Sequence, residues 1–345
     1  MSRYPQPYQK LIDATQTPTR FDENSRFPGA GHRWSDAERD AVVLAWASRR
    51  PLLVRGEPGC GKSQLAHALA QVLGVDIFPE VIHPRFEAND LLYRVDNIER
   101  LACAQLLAVR RSGDVDVSKE MDLARFVRPG ALWRAMQQTI DAVHQRWPRA
   151  VVLIDEIDKA DADVPNALLE VLGNRSFTPP GFGTVECSQN SPLIIITTNE
   201  DRELPPAFLR RCQVLNLDPP HGEGEAAFCA WMEHRALAHP RIAALDQDDL
   251  RHRAARQARA DRETERDPEP LLRRAARQVW ADRETAREKD LGLVGLAEYL
   301  DLLHALAELA QDDAQQAGTM LDDLSRYALV KHRELSQQRP AVGTP

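Results

Sequence analysis

The stretch Pro51–Leu69, PLLVRGEPGCGKSQLAHAL, decides how the rest of the chain is read. Leu52–Val54 is a short apolar run of the kind that forms a buried parallel strand. Leu65, Ala66, Ala68 and Leu69 form an apolar stripe at helical spacing. Between them lies Gly56-Glu57-Pro58-Gly59-Cys60-Gly61-Lys62-Ser63, a G-x-x-x-x-G-K-S string with a strand before it and a helix after it, the context in which that string grips phosphate. The chemistry accounts for the residue types. Gly59 and Gly61 permit positive φ, which brings backbone N–H groups up to phosphate oxygens. A helix starting at Lys62 aims its positive end at the same anion. Lys62 reaches β- and γ-phosphates and the Ser63 hydroxyl suits Mg²⁺. The candidate nucleotide-contacting residues are therefore Gly56, Glu57, Pro58, Gly59, Cys60, Gly61, Lys62, Ser63 and Gln64.

A second signal is Ala150-Val151-Val152-Leu153-Ile154-Asp155-Glu156. Five apolar residues predict a strand buried on both faces, ending in two carboxylates where open α/β sheets place ligands. Adjacent residues on extended backbone point oppositely, so the two acids are expected to divide the work. Asp155 is the candidate metal ligand with Ser63, and Glu156 the candidate for polarising an attacking water. A third run, Pro192–Asn199 (PLIIITTN), predicts another buried strand, whose terminal Asn199 could orient that water or touch the γ-phosphate. Glu203–Cys212 predicts a short helix ending in Arg210 and Arg211, cations available to a neighbouring subunit's γ-phosphate. Val214, Leu215 and Leu217 make a fifth strand, and Val75–His83 another whose Pro79, lacking a ladder donor, suggests an edge position or irregular pairing.

Around these lie less informative segments. Residues 1–30 show no period and read as an extended lead-in. Ser35 with Glu38 forms a capping box that opens a helix ending before Pro51. Trp34 reads as a packing residue rather than a base-stacking one. Ser176–Cys187, with Pro179, Pro180, Gly181 and Gly183 between Phe177 and Val185, predicts a hairpin. Beyond Pro219-Pro220 the pattern turns helical, with Leu293, Leu296, Leu300, Leu303, Leu306 and Leu309 at threes and fours. RAARQ at 253–257 recurs at 274–278 and ADRET at 260–264 recurs at 281–285, an offset of 274 − 253 = 21 residues. Its mixed charge reads as a solvated duplication.

The formal net charge of −8 argues against a constitutive nucleic-acid binder, which needs a basic face. No apolar run reaches the roughly 18 residues of a membrane span, and MSRYPQPYQKL lacks the apolar core of a secretory signal. Cys60, Cys103, Cys187, Cys212 and Cys229 show no C-x-x-C spacing, which fits reduced thiols in a cytoplasm.

Taken in order, GEPGCGKS, VVLIDEID, IITTNE and AFLRRC reproduce the signature of AAA+ ATPases. The segments HRWSDAERDAVVLAWASRRPLLVRGEPGCGKSQLA and FVRPGALW resemble the MoxR branch, found in bacterial gene clusters with von Willebrand-type partners. The resemblance spans roughly residues 30–218 and is weak beyond. It implies an α/β P-loop core of five parallel strands in order 5-1-4-3-2, then a helical lid, with ATP and Mg²⁺ bound between subunits of a ring, commonly a hexamer. It implies a core over 31–218 and a lid over 219–336; the charged insertion at 246–290 is not part of the usual pattern, and the tail at 337–345 reads as disordered from its own residues. By the same resemblance Asn199 is a sensor, Arg211 the first choice for an arginine finger with Arg210 next, and the loop at 90–96 and the insertion before Pro129 face a central pore. The usual lid arginine has no evident counterpart, which leaves Lys289 as the candidate. The implied activity is ATP hydrolysis coupled to remodelling of a protein partner, with a conflict or defence role suggested by the clustered relatives. Two rivals are a nucleotide-gated assembly module with little turnover and a restriction-type nucleic-acid motor.

Overall fold

The structure, a computed structural model, describes residues 4–22, 26–27, 30–109, 117–138, 148–161, 163–174, 176–186, 191–259, 269–289 and 291–329. The chain forms two compact units. The first comprises residues 1–14, 35–56 and 65–216, the second residues 15–34, 57–64 and 217–345.

The first unit is built on a five-stranded sheet of β1 (Leu52–Arg55), β2 (Ile77–Val81), β3 (Val151–Asp155), β4 (Leu193–Thr198) and β5 (Gln213–Asn216). All pairings are parallel and the order is β5-β1-β4-β3-β2, as expected. The central strands β3 and β4 are buried throughout, which is why their sequences run apolar without alternation. Pro79 sits on edge strand β2, opposite Leu153, where its missing N–H costs no ladder bond. Leu53, Val152, Ile154, Ile196 and Phe208 join one core cluster against the sheet. Helix α1 (Asp36–Ser48) opens with the predicted capping box: Glu38 N–H donates to Ser35 Oγ at 3.3 Å, and Ser35 N–H to Glu38 Oε2 at 2.6 Å. Helix α2 (Lys62–Leu73) follows β1, and α3 (Asp163–Asn174) follows β3. Two short antiparallel ribbons complete the unit: Tyr93–Val95 with Val127–Pro129, and Ser176–Phe177 with Val185–Glu186, the predicted hairpin.

The lead-in is more regular than its sequence suggests. Tyr8–Ala14 is helical, and the Tyr8 ring meets Trp46 of α1 edge-on at 4.9 Å. That tertiary contact, rather than any period within the segment, accounts for the helix. In the second unit Thr19–Arg20 pairs with Gly31–His32. Trp34 beside them is buried and donates from Nε1 to Thr19 Oγ1 at 2.9 Å, a packing role as expected.

The second unit is otherwise helical: α4 (Glu225–Ala236), α5 (Pro240–Arg259), α6 (Leu271–Glu288), α7 (Leu296–Leu309) and α8 (Ala314–Ala328). Phe228, Met232, Leu272, Val279, Tyr299 and Leu303 belong to its common core. Here the charged repeat requires a correction. Its second copy is no solvated face: Ala275, Ala276, Val279, Asp282, Arg283 and Ala286 are the buried side of α6. At helical spacing, small residues let the helix approach its neighbours while arginines at other positions reach outward, so high charge and a packed face coexist. Residues 260–264 of the first copy, Cys187, and the tail at 337–345 lie outside the described residues.

Candidate functional site

The polar end of the sheet is organised by one hydroxyl. Asp155 closes β3 and Thr197 lies one residue from the end of β4, which is hydrogen-bonded to β3 in parallel register. Thr197 is fully buried; its Oγ1 donates to Asp155 Oδ1 at 2.6 Å and accepts the Glu156 N–H at 2.9 Å. The threonine thus fixes the carboxylate of one acid and the backbone of the next. Asp155 is itself only 7% exposed. Carboxylate oxygen is the hard donor type that suits a divalent cation.

Glu156 departs from the strand alternation expected of it. Its backbone is left-handed, φ 62° and ψ 49°, so a sharp turn and not the pleat aims its side chain. A non-glycine residue there costs on the order of 1 kcal/mol, a strain that clusters at functional sites. The Glu156 carboxylate accepts from Lys159 Nζ at 2.6 Å, and that bond, followed by the charges of Glu156 and its neighbours, raises the lysine pKa. The turn is tied to the loop after β4 by Asp158, 2% exposed, whose Oδ2 accepts the Asp201 N–H at 3.0 Å.

That loop carries Asn199, half-buried just past the end of β4. Glu200 beside it is also left-handed (φ 62°) and pairs with Arg55 Nε of β1 at 3.3 Å. So Asp155, Glu156 and the Asn199 loop are held together by Thr197, Asp158 and strand pairing. Arg210 and Arg211 follow the helical turn Pro206–Leu209, and both are exposed. Arg211 Nη1 reaches the Leu169 carbonyl of α3 at 3.4 Å, and Arg50 Nη1 the Arg210 carbonyl at 3.4 Å.

The loop candidates Glu57–Gln64 belong to the second unit, whereas Gly56 closes the first unit's segment. Gly59 (φ 77°) and Gly61 (φ 98°) take the positive φ expected of them. A Cβ on Gly59 would lie 2.8 Å from the Cβ of Ala297 on α7, so close approach as well as conformation requires glycine. Lys62 is buried at the start of α2, its Nζ donating to the Glu57 carbonyl at 2.8 Å. The Cys60 N–H donates to the same carbonyl at 3.3 Å, closing the loop on itself. Burial raises the pKa of the Cys60 thiol, against the opposing pull of Lys62. The Glu57 N–H donates to Asp218 Oδ1 at 2.9 Å.

The sequence reading missed the cation of this cluster. Lys289 is the C-cap residue of α6, and Arg283 of the same helix is 0% exposed and donates from Nη2 to Glu57 Oε1 at 2.6 Å and Oε2 at 2.9 Å. Its Nη1 donates to the Val294 carbonyl at 2.5 Å, and its guanidinium also meets His221 Nε2 and the Phe228 ring. Burial first, then the adjacent Arg283, pushes His221 down to about 4, so its ring is neutral. The signal that could have found Arg283 was its spacing: it falls on the same face as Ala276 and Val279, an arginine on the packed side of the helix.

Residues 51–212 match the family model described as the AAA domain, dynein-related subfamily. The chain is similar to the chaperone protein ClpB of Lactiplantibacillus plantarum, 32% identical over 179 residues, 49% of this chain and 17% of that one. It is also similar to the chaperone protein ClpB 1 of a Nostoc species, 30% identical over 149 residues (43% of this chain, 13% of that one). The chloroplastic chaperone protein ClpC4 of Oryza sativa is 31% identical over 153 residues, again 43% and 13%. The match spans less than a fifth of the length of these relatives. No described helix is long and apolar enough to cross a membrane.

Proposed function

We propose that this chain, whose residues 51–212 match the AAA domain model, is a P-loop ATPase that binds ATP with Mg²⁺ and hydrolyses it to remodel or activate a protein partner. The observation that carries the reading is the Thr197 bridge, which sets Asp155 and Glu156 side by side at the end of a buried strand. Phosphoryl transfer asks of a protein chiefly positioning and charge stabilisation. Lys62 and the loop amides hold the phosphates. Ser63 and Asp155 are hard oxygen donors and fit Mg²⁺, which when bound offsets charge on the phosphate oxygens. Glu156 takes the proton of the attacking water, and Asn199 orients that water. Arg211, with Arg210 beside it, is exposed and free of acidic partners in the hydrogen bonds described above, which suits an arginine given to a neighbouring subunit.

The finer reading is a MoxR-like ring, commonly hexameric, acting on a von Willebrand-type partner in a bacterial conflict or defence system and working in the cytoplasm. Its support is the sequence resemblance over residues 30–218. The chaperone relatives point in the same direction, toward work on proteins.

Glu156→Gln is the test. The variant should bind ATP as the parent does while turnover falls by about a hundredfold or more. Retained turnover would remove Glu156 from the role of base. A second reading, a nucleotide-gated assembly module that turns over little, is favoured by the Lys159 bond, which occupies the Glu156 carboxylate. It predicts a parent protein that assembles with ATP and hydrolyses it no faster than Glu156→Gln does.

A further inference from the structure

Any loop that grips polyphosphate is best served by positive or neutral groups, yet this one carries an acid at its second position, Glu57. The backbone of Glu57 is fixed within the loop, since its carbonyl accepts Lys62 Nζ and its N–H is held by Asp218. Left alone the carboxylate would repel the ligand the loop is shaped for. It is not left alone. Arg283 arrives from α6, 226 residues away in sequence, and spans both of its oxygens.

We propose that Arg283 is the counter-charge of the phosphate loop, a positioning residue that cancels Glu57 and holds its carboxylate away from the bound phosphates. The inference rests on the reading of residues 56–64 as the phosphate-binding loop. Three observations commit the guanidinium to this task. The arginine side chain is fully buried while its carboxylate partner is 28% exposed, so the guanidinium itself has no water to turn to. Its Nη1 donates to the Val294 carbonyl, which sets the plane of the group. The ring of Phe228 covers it at 5.6 Å, and the His221 ring closes another side. An arginine so enclosed acts through Glu57. Its effect is felt by whichever phosphates occupy the loop, so ATP and ADP should respond alike. An arginine that touched only a terminal phosphate would separate the two nucleotides.

The test is a double-mutant cycle on the full chain, with ATP and ADP affinities measured by calorimetric titration and folding checked by thermal melting. Arg283→Met should weaken both nucleotides by the same factor, about tenfold or more. Adding Glu57→Gln should restore both to within about twofold of the parent, because the uncancelled acid is gone. Glu57→Gln alone should bind both at least as tightly as the parent. A loss confined to ATP, or one that Glu57→Gln does not reverse, overturns the proposal. Should Arg283→Met not fold, Glu57→Gln alone decides, and weaker binding by it overturns the proposal. Lys62→Ala separates the two levels. If it abolishes binding while the cycle is additive, only the counter-charge fails; if it binds like the parent, the phosphate-loop reading falls and takes this inference with it.

Discussion

The two units secure their polar groups by different means. At the edge of the sheet, Asp155, Glu156 and Thr197 are joined by hydrogen bonds between strands already in register, so the backbone delivers the geometry. In the helical unit the pairs are made by side chains remote in sequence: Arg283 with Glu57 across 226 residues, and His239 with His304 across 65. A sheet positions a site through neighbours that its pairing fixes, and a helix bundle does so only once its packing is complete. Disturbing the first should damage chemistry more than stability, and disturbing the second the reverse.

The sharpest way to break that contrast is Thr197→Val. The substitution keeps the shape and removes the hydroxyl, and with it one hydrogen bond to the Asp155 carboxylate and one from the Glu156 N–H. Losing such a bond costs about 1–3 kcal/mol of stability. Turnover should fall more than about tenfold with nucleotide affinity nearly unchanged, and Thr197→Ser should recover most of it. Parallel melting curves and steady-state kinetics would check this. A Thr197→Val protein as active as the parent would show that the sheet edge does not organise the acids.

The helical unit should instead betray itself through pH. His239 is pushed from 6.5 down to about 4, by burial first and then by His304, whose Nε2 lies 3.0 Å from His239 Nδ1. Burial likewise lowers His304, with Arg241 adding to it and Asp301 opposing. The sign follows from linkage. Above about pH 6.5 both the folded and unfolded chains carry neutral imidazole and stability is whole. As pH falls toward 4 the unfolded chain takes up protons first and stability is lost, on the order of 2 kcal/mol from His239 by pH 5. Thermal melts between about pH 7.5 and about pH 4.5 would follow the loss. His239→Gln should make the profile shallower and leave the share carried by His221 and His304; an unchanged slope would place the acid sensitivity elsewhere.

What could be read in advance follows the same division. The strands that carry Asp155 and Asn199 announce themselves as unbroken apolar runs ending in polar residues, because a doubly covered strand has no solvent face to encode. The phosphate loop is contiguous and its glycines are demanded by conformation. Thr197 was passed over because a threonine inside IIITTN serves equally as a β-branched strand former, and only the register between β3 and β4 reveals its hydroxyl at work. Glu156 was given the alternation of a strand that in fact ends one residue earlier. Arg283 was hidden by its setting: in a segment dense with arginine, composition cannot say which one turns inward, and the packing of α6 decides it.

Lys159 offers the mildest perturbation and the finest discrimination between the units. Its ion pair with Glu156 leaves the two side chains 41% and 32% exposed, so water and salt compete for both. Pairs of this kind hold their partners weakly. Lys159→Ala should therefore leave the melting temperature where it was and raise turnover by no more than about fivefold, the largest gain such a contact can withhold. The parent should approach the variant's rate as ionic strength rises, because screening does what the substitution does. A larger gain would mean that the lysine holds Glu156 back as a gate, which strengthens the assembly-module reading. A loss would mean that the lysine aims the carboxylate, adding a second side-chain contact to an edge positioned by strand register and the Thr197 hydroxyl.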